Sequence, residues 1–147
     1  MRTPASIAKH PIHPMLVVFP IGLWVFSFIC DLIGLGAAAP TVWHTVAFYT
    51  MVGGVIGALL AAVPGLIDLI YYKGATPPIK KLAVTHMVIN LVAVVLYLVN
   101  VWIRAGSPAS MKTPIILSVI GVSLIGVSGW LGGQMVHVYG VGVEGRE

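Results

Sequence analysis

Residues 82–103 read LAVTHMVINLVAVVLYLVNVWI and contain no Asp, Glu, Lys or Arg. An α-helix rises 1.5 Å per residue, so about 20 apolar residues cross the hydrocarbon core of a bilayer. Three further runs without charged residues occupy 10–30, 32–67 and 113–143. None of them alternates with the period of two that membrane β-barrels show. We therefore predict four membrane-spanning helices, at residues 14–35, 42–72, 81–104 and 113–138.

The composition excludes most other classes of protein. Of the 147 residues, 59% are hydrophobic and 8% are charged, whereas a soluble domain carries about 25% charged residues. A soluble enzyme is therefore excluded, and so is a disordered chain, which needs low hydrophobicity. Cys30 is the only cysteine, so a disulfide scaffold is excluded too. We predict an all-α integral membrane four-helix bundle, formed by a single transmembrane domain over residues 1–147.

The basic residues predict how the chain is oriented. With four spans, the chain ends and the loop between the second and third helices share one side of the membrane. The positive-inside rule then places both termini in the cytoplasm, and we predict a bacterial inner membrane protein. Because the basic residues are scattered between apolar runs, we predict no nucleic-acid partner. The first side carries Arg2, Lys9, Lys73, Lys80, Lys81 and Arg146, and the other side carries Arg104 and Lys112.

Every predicted helix has one stripe of polar or small residues at steps of three and four. Unpaired polar groups in hydrocarbon cost several kcal/mol, so these stripes should face inward. Their glycines either let the helices pack closely or open a slot for a flat cofactor such as a porphyrin. The stripe of the first helix includes Pro20, Trp24, Ser27 and Asp31, and the stripe of the second includes Gly54, Ala58, Ala61, Gly65 and Asp68. The stripe of the third helix includes His86, Asn90, Ala93, Tyr97, Asn100 and Arg104. The stripe of the fourth includes Gly126, Gly129, Gly133 and His137.

Four of the five histidines fall at one level of the predicted bundle. Neutral imidazole is the commonest metal ligand in proteins, and a carboxylate commonly orients its second nitrogen. The cytoplasmic level therefore predicts a metal or haem site. The candidate metal ligands are His10, His13, His86, His137 and Asp68, and the candidate haem ligands are His13 and His86, with His137 in reserve.

Each of these residues also has a structural interpretation. His10 and His137 suit the headgroup region, and His13 suits the start of the first helix. Asp68 and His86 suit a neutralising pair between two helices, because intramembrane ionisable groups commonly pair with each other.

The opposite level holds a second polar group. Asp31 and Arg104 end their stripes at similar depth, so we predict a structural salt bridge between them. His44 is interpreted as an interfacial residue, or alternatively as a lone ligand of a second site.

Several motifs resemble a known family. They are HPIHPMLV at residues 10–17, FPIGL at 19–23, GWLGG at 129–133 and, after His137, GVGV at 140–143. These motifs resemble the bacterial four-helix membrane family called domain of unknown function 2231. Members of that family sometimes occur beside, or fused to, Rieske-type iron–sulfur domains, and this association implies redox work at a membrane. The single cysteine excludes a Rieske cluster within this chain.

Three functions follow as hypotheses. The first is a membrane redox protein with haem b, which exchanges electrons between quinone and a Rieske-type or c-type partner. The second is a non-haem site for Zn, Fe or Cu, in a metalloenzyme or a metal-handling protein. The third is a non-catalytic subunit of a larger membrane complex. A homo-oligomer is compatible with all three.

Overall fold

The computed structural model describes residues 3–8 and 10–143, and it confirms the predicted all-α fold with four long apolar helical segments. A short antiparallel hairpin comes first, with strands β1 (Ser6–Ile7) and β2 (His10–Pro11). The helices that follow are α1 (Ile12–Leu16), α2 (Val18–Gly36), α3 (Pro40–Tyr71), α4 (Pro77–Ala105) and α5 (Lys112–His137). Together α1 and α2 form the first candidate span, Ile12–Gly36.

Prolines explain the earlier starts of α3 and α4 and the break after Leu16 in the first span. The helix α4 begins at Pro77 and not at residue 81, and α3 begins at Pro40 and not at residue 42. Proline suits the first turn of a helix, where its missing N–H would have no intrahelical partner. Inside a helix, the missing N–H of proline removes the hydrogen bond to the carbonyl of the residue four positions earlier. Pro20 thereby leaves the carbonyl of Leu16 without a helical partner, and α1 ends at that residue.

The bundle is built from two helical hairpins. The helix α2 packs along α3, and α4 packs along α5, whereas contacts between the two pairs are sparser. Side chains of the two hairpins meet in the middle of the molecule along a line that we call the seam. The seam consists of three pairs, His13 with His86, Trp24 with Tyr97, and Asp31 with Arg104.

The central seam pair shows how the hairpins are held together. The rings of Trp24 and Tyr97 stack with their centroids 4.0 Å apart and their planes 12° apart. Each ring also lies on a glycine of its own hairpin, Trp24 on Gly54 and Tyr97 on Gly121. A Cβ at Gly121 would lie 2.7 Å from two carbons of the Tyr97 ring. These glycines are therefore packing positions, and aromatic side chains of the same chain fill the space above them.

The prediction for the inner face of the fourth span was wrong. Gly126 and Gly129 are exposed, and nothing lies within 4 Å of a Cβ built on either. The cause is the packing of Tyr97 on Gly121, which turns a different stripe of α5 inward. The buried residues of α5 are Pro114, Ser118, Gly121, Ile125 and Ser128.

Both described chain ends lie at one end of the bundle. Thr3 bonds Asp68 near the end of α3, and a Cβ on Gly142 would lie 4.0 Å from the ring of Pro11. We call this the basic end, since Lys73, Lys80 and Lys81 are exposed there. The predicted basic residues Arg2, Lys9 and Arg146 lie outside the described residues. The orientation of this end toward the cytoplasm stays a prediction.

The ring-on-glycine packing can be tested at Gly121. Gly121→Ala should lower the free energy of unfolding by about 1–3 kcal/mol, because a new methyl group overlaps Tyr97. Gly126→Ala, five residues further on in the same helix, is the matched control. It should be neutral or stabilising by about 0.5–1 kcal/mol, because alanine favours a helix and the site is open. Unfolding of both variants in one detergent would be followed by circular dichroism. Equal stability of the two would contradict the packing.

The hydroxyl of Tyr97 gives a second test. It is the one buried side-chain polar atom without a hydrogen-bond partner among residues 3–8 and 10–143. An unpaired buried polar group costs about 1–3 kcal/mol, so Tyr97→Phe should keep or raise the stability. Tyr97→Leu, which removes the stack on Trp24, should lower it. A large loss of stability in the phenylalanine variant would mean that the hydroxyl has a partner in the membrane.

Candidate functional site

His13 is held by the first hairpin. Its Nδ1 atom lies 2.8 Å from the carbonyl oxygen of Ala61 on α3. The ring lies against Gly65, one turn further along α3, where a Cβ would be 2.8 Å from Nδ1. Because a carbonyl only accepts, Nδ1 carries the proton and the lone pair is on Nε2. His13 is therefore fixed in the tautomer that binds metals through Nε2.

His86 is held by the second hairpin in a similar way. Its Nδ1 atom lies 2.9 Å from both the carbonyl oxygen and the hydroxyl oxygen of Ser128 on α5. Donation to the carbonyl again leaves the lone pair on Nε2. The side-chain amide of Asn90, one turn along α4, donates to this Nε2 at 3.0 Å and to the His86 carbonyl at 2.9 Å. Both imidazoles are thus oriented by backbone carbonyls, as is usual behind metal-binding histidines.

The two imidazoles meet across the seam in a T-shaped arrangement. Their ring centroids are 6.3 Å apart and their planes are nearly perpendicular, at 88°. Both side chains are half-buried. Two imidazoles from different hairpins, each donating from Nδ1 to a backbone carbonyl, are a potential ligand set of two Nε2 atoms.

The other predicted ligands do not join this pair in the structure. His10 is exposed in β2, and its Nδ1 contacts the carbonyl of Ala8 at 2.9 Å. His137 is exposed in the last turn of α5. Nine residues separate it from inward-facing Ser128, and at about 100° per residue this puts His137 on the opposite face of the helix.

Asp68 has a different partner from the one expected. Its carboxylate accepts a hydrogen bond from the hydroxyl of Thr3, whereas His86 bonds Ser128 and Asn90. Residues 3–8 and 10–143 contain no group of three or more His, Cys, Asp and Glu that could hold a metal ion. The structure thus brings together His13 and His86, and it does not assemble the predicted five-residue cluster among these residues.

At the opposite end the structure brings Asp31 and Arg104 together. The guanidinium donates from Nη1 to Oδ1 at 2.9 Å and from Nη2 to Oδ2 at 2.5 Å. Both side chains are buried, and they link α2 to α4 across the seam. Such a bidentate pair leaves neither charge uncompensated in a lipid environment.

Further polar groups complete this end. The Nε atom of Arg104 donates to the side chain of Asn100, which donates in turn to the Pro114 carbonyl and the Ser118 hydroxyl on α5. His44 Nδ1 lies 3.1 Å from Asp31, and its ring rests on Gly34. His44 is therefore a half-buried partner of Asp31, and its position at the membrane interface stays a prediction. The sequence analysis did not predict this contact, because the sequence does not show that Gly34 leaves room for an imidazole.

Removing one partner of the ion pair should be costly. Arg104→Gln leaves Asp31 buried without its cation, and such a loss typically costs about 3–5 kcal/mol. The double variant Asp31→Asn, Arg104→Gln should recover part of that loss, since no charge remains unpaired. Lys112→Gln, at an exposed basic residue of the same end, is the control and should be neutral. Chemical unfolding in detergent measures all three, and a double variant less stable than Arg104→Gln would contradict the pairing.

Comparison with known proteins adds the family. A search of curated proteins and a search of solved structures find no match to this chain. The family model described as predicted membrane protein (DUF2231) matches residues 9–145. That match spans all four helical segments and both seam histidines. On this evidence the chain belongs to the DUF2231 family of membrane proteins.

Proposed function

We propose that this protein is a redox protein of the membrane that binds a metal centre between His13 and His86. The observation that carries the proposal is the distance of 6.3 Å between the two ring centroids. Two imidazoles on opposite sides of one metal ion, each bonded at about 2.0 Å, have centroids about 6 Å apart. The backbone carbonyls behind both rings add support, because they put the lone pairs on Nε2.

The surroundings of the pair also favour ligation. The half-buried rings lie at the edge of an apolar bundle, where an ion would be partly shielded from water. Asn90 is the one residue that would have to yield, since its amide bonds Nε2 of His86. The same amide also bonds the His86 carbonyl, so it keeps a partner when Nε2 is taken by a metal.

The donor set restricts the metal. Imidazole suits Zn, Fe and Cu, and redox work needs Fe or Cu because Zn does not change its oxidation state. When bound, such a metal supplies one-electron chemistry, and the chain supplies two oriented imidazoles on two separate hairpins. A metal without redox activity would make the protein a metal-handling protein or a metalloenzyme instead.

Haem b is the second candidate, and the same ring distance favours it. Histidine is a common ligand of haem iron, so His13 and His86 would be the residues that hold a haem here. The space for the porphyrin fits less well. The inner glycines are covered by rings of this chain, Gly65 by His13 and Gly121 by Tyr97, and the exposed glycines of α5 face outward. The residues present therefore fit a single ion better than a haem.

The basic end suggests the setting of this chemistry. The positive-inside rule favours a cytoplasmic position for Lys73, Lys80 and Lys81, in a bacterial inner membrane. Exposed lysines would attract an acidic soluble partner, such as a Rieske-type or c-type electron carrier, or the propionates of a haem. Quinone dissolved in the bilayer is the proposed second electron partner.

Metal analysis together with one optical spectrum tests the proposal. The protein, purified from cells supplied with iron, copper and haem precursor, is expected to carry Fe or Cu in near-stoichiometric amount. His13→Ala and His86→Ala should each lower the bound metal by about tenfold or more, because a two-ligand site does not survive the loss of one ligand. The exposed histidines supply matched controls, and His10→Ala and His137→Ala should keep the metal.

The outcomes separate the candidate functions. A Soret band in the oxidised protein, and its shift on reduction with dithionite, would identify haem b. Metal without a Soret band would identify the single-ion site, and zinc alone would remove the redox role. A folded protein without metal or haem would overturn the proposal and leave the third hypothesis, a subunit that packs in a larger complex.

A further inference from the structure

The start of α4 forms an open cleft on the surface of the basic end. Its lining combines two cations, one hydroxyl and apolar groups, in the residues Ala75, Pro77, Lys80, Lys81, Val84 and Thr85. Both lysines are exposed, and neither has a carboxylate partner within residues 3–8 and 10–143. The positive charge of the cleft is therefore not neutralised by this part of the chain.

Side chains, and not the helix backbone, would hold an anion in this cleft. The two prolines that begin α4 have no N–H, and the amide of Lys80 donates to the carbonyl of Thr76 at 2.9 Å. The hydroxyl of Thr85, one turn after Lys81, is exposed and makes no hydrogen bond among the described contacts. Two ammonium groups and one hydroxyl are thus the donors of the cleft.

An apolar stripe of α4 leads from the cleft toward the middle of the membrane. At steps of three and four from Lys81 it consists of Val84, Val88, Leu91 and Val95. All four side chains are exposed, from 38% at Val84 to 59% at Val95. These two valines lie eleven positions apart, about 16 Å along the helix. That length is about half of the hydrocarbon core, so the stripe is as long as one leaflet is deep.

The other end of the bundle lacks this combination. Among residues 3–8 and 10–143, Lys112 is the one exposed basic residue there. At the same steps of three and four along α5, exposed Ile116 and Val119 follow Lys112, and then come Ser123 and Gly126. A pair of lysines above a continuous apolar stripe is therefore a feature of the basic end.

We propose that the cleft and the stripe together bind one anionic phospholipid of the surrounding bilayer. The phosphate lies between Lys80 and Lys81 and accepts a hydrogen bond from Thr85, and one acyl chain follows the stripe from Val84 to Val95. Lysines near a membrane surface attract acidic headgroups. An acidic soluble protein would pair with the lysines and leave the stripe unused, so a lipid fits more of the observed surface. The proposal is independent of the metal site.

Native mass spectrometry of the metal-free protein in detergent tests the lipid site. The probes are dioleoyl phosphatidylglycerol, which carries one negative charge, and dioleoyl phosphatidylcholine, which has the same acyl chains and no net charge. At low ionic strength the first phosphatidylglycerol should bind at least about tenfold more tightly than the first phosphatidylcholine, because each lysine near the surface contributes about fivefold. A large excess of inorganic phosphate should not displace the bound lipid, because phosphate has no acyl chain to follow the stripe.

Single substitutions with the same change of charge show which lysines matter. Lys80→Gln and Lys81→Gln should each lower the affinity for phosphatidylglycerol about fivefold, and the double variant should lose the preference for it. Lys73→Gln, at the same end but outside the cleft lining, and Lys112→Gln, at the opposite end, are the matched controls and should keep the preference. Thr85→Val keeps the shape and removes the hydroxyl. It should weaken both lipids alike, because both carry a phosphate.

Three results would overturn the site. The first is equal affinity for the two lipids, and the second is an equal loss in Lys73→Gln and Lys81→Gln, which would indicate a general attraction to the basic end. Either result would leave Lys80 and Lys81 to the acidic soluble partner of the proposed function. The third is displacement by inorganic phosphate, which would mean that the stripe contributes nothing. None of them bears on metal binding, and circular dichroism checks that every variant is folded.

Discussion

Aromatic and imidazole rings resting on glycines of a neighbouring helix are the contacts on which this bundle depends. Lipid is as apolar as the side chains, so helices in a membrane are held by close packing and polar contacts rather than by exclusion of water. Tyr97 on Gly121 and Trp24 on Gly54 let each hairpin close tightly while a flat ring projects into the seam. The stack between these two rings then joins the hairpins.

The two ends of the seam are built differently on the same scaffold. At one end Asp31 and Arg104 neutralise each other, and Asn100 and His44 take up the remaining bonds. At the basic end the seam holds two imidazoles whose Nδ1–H groups donate to backbone carbonyls. The charged groups at one end are therefore paired with each other. At the other end Nδ1 of each ring bonds a backbone carbonyl, and Nε2 of His86 accepts a hydrogen bond from the amide of Asn90. This asymmetry is the reason to look for function at the basic end.

Some of the site could be read from spacing alone. Asp31 and Arg104 end polar stripes at matching depth, and ionisable groups inside a membrane commonly pair with each other, so their contact was predicted and is confirmed. His86 and Asn90 are one turn apart, so their contact follows from helix geometry. His137 was misplaced because the inner face of α5 depends on where Tyr97 packs. The serines of α5 do not show from sequence which of its faces is inside. Ser128 bonds His86, whereas exposed Ser123 donates to the carbonyl of Val119 in its own helix.

By itself the amino-acid sequence determined the class, the number of spans and the approximate ends of the helices. These follow from the length of apolar runs and from the cost of unpaired polar groups in hydrocarbon, which are properties of a single helix. Only the tertiary structure decided which histidines meet, which face of α5 is inside, and that Asp68 bonds Thr3. Those outcomes depend on the rotation of each helix about its own axis. Neighbouring helices set that rotation through a few glycine contacts, which join residues that lie far apart in the sequence.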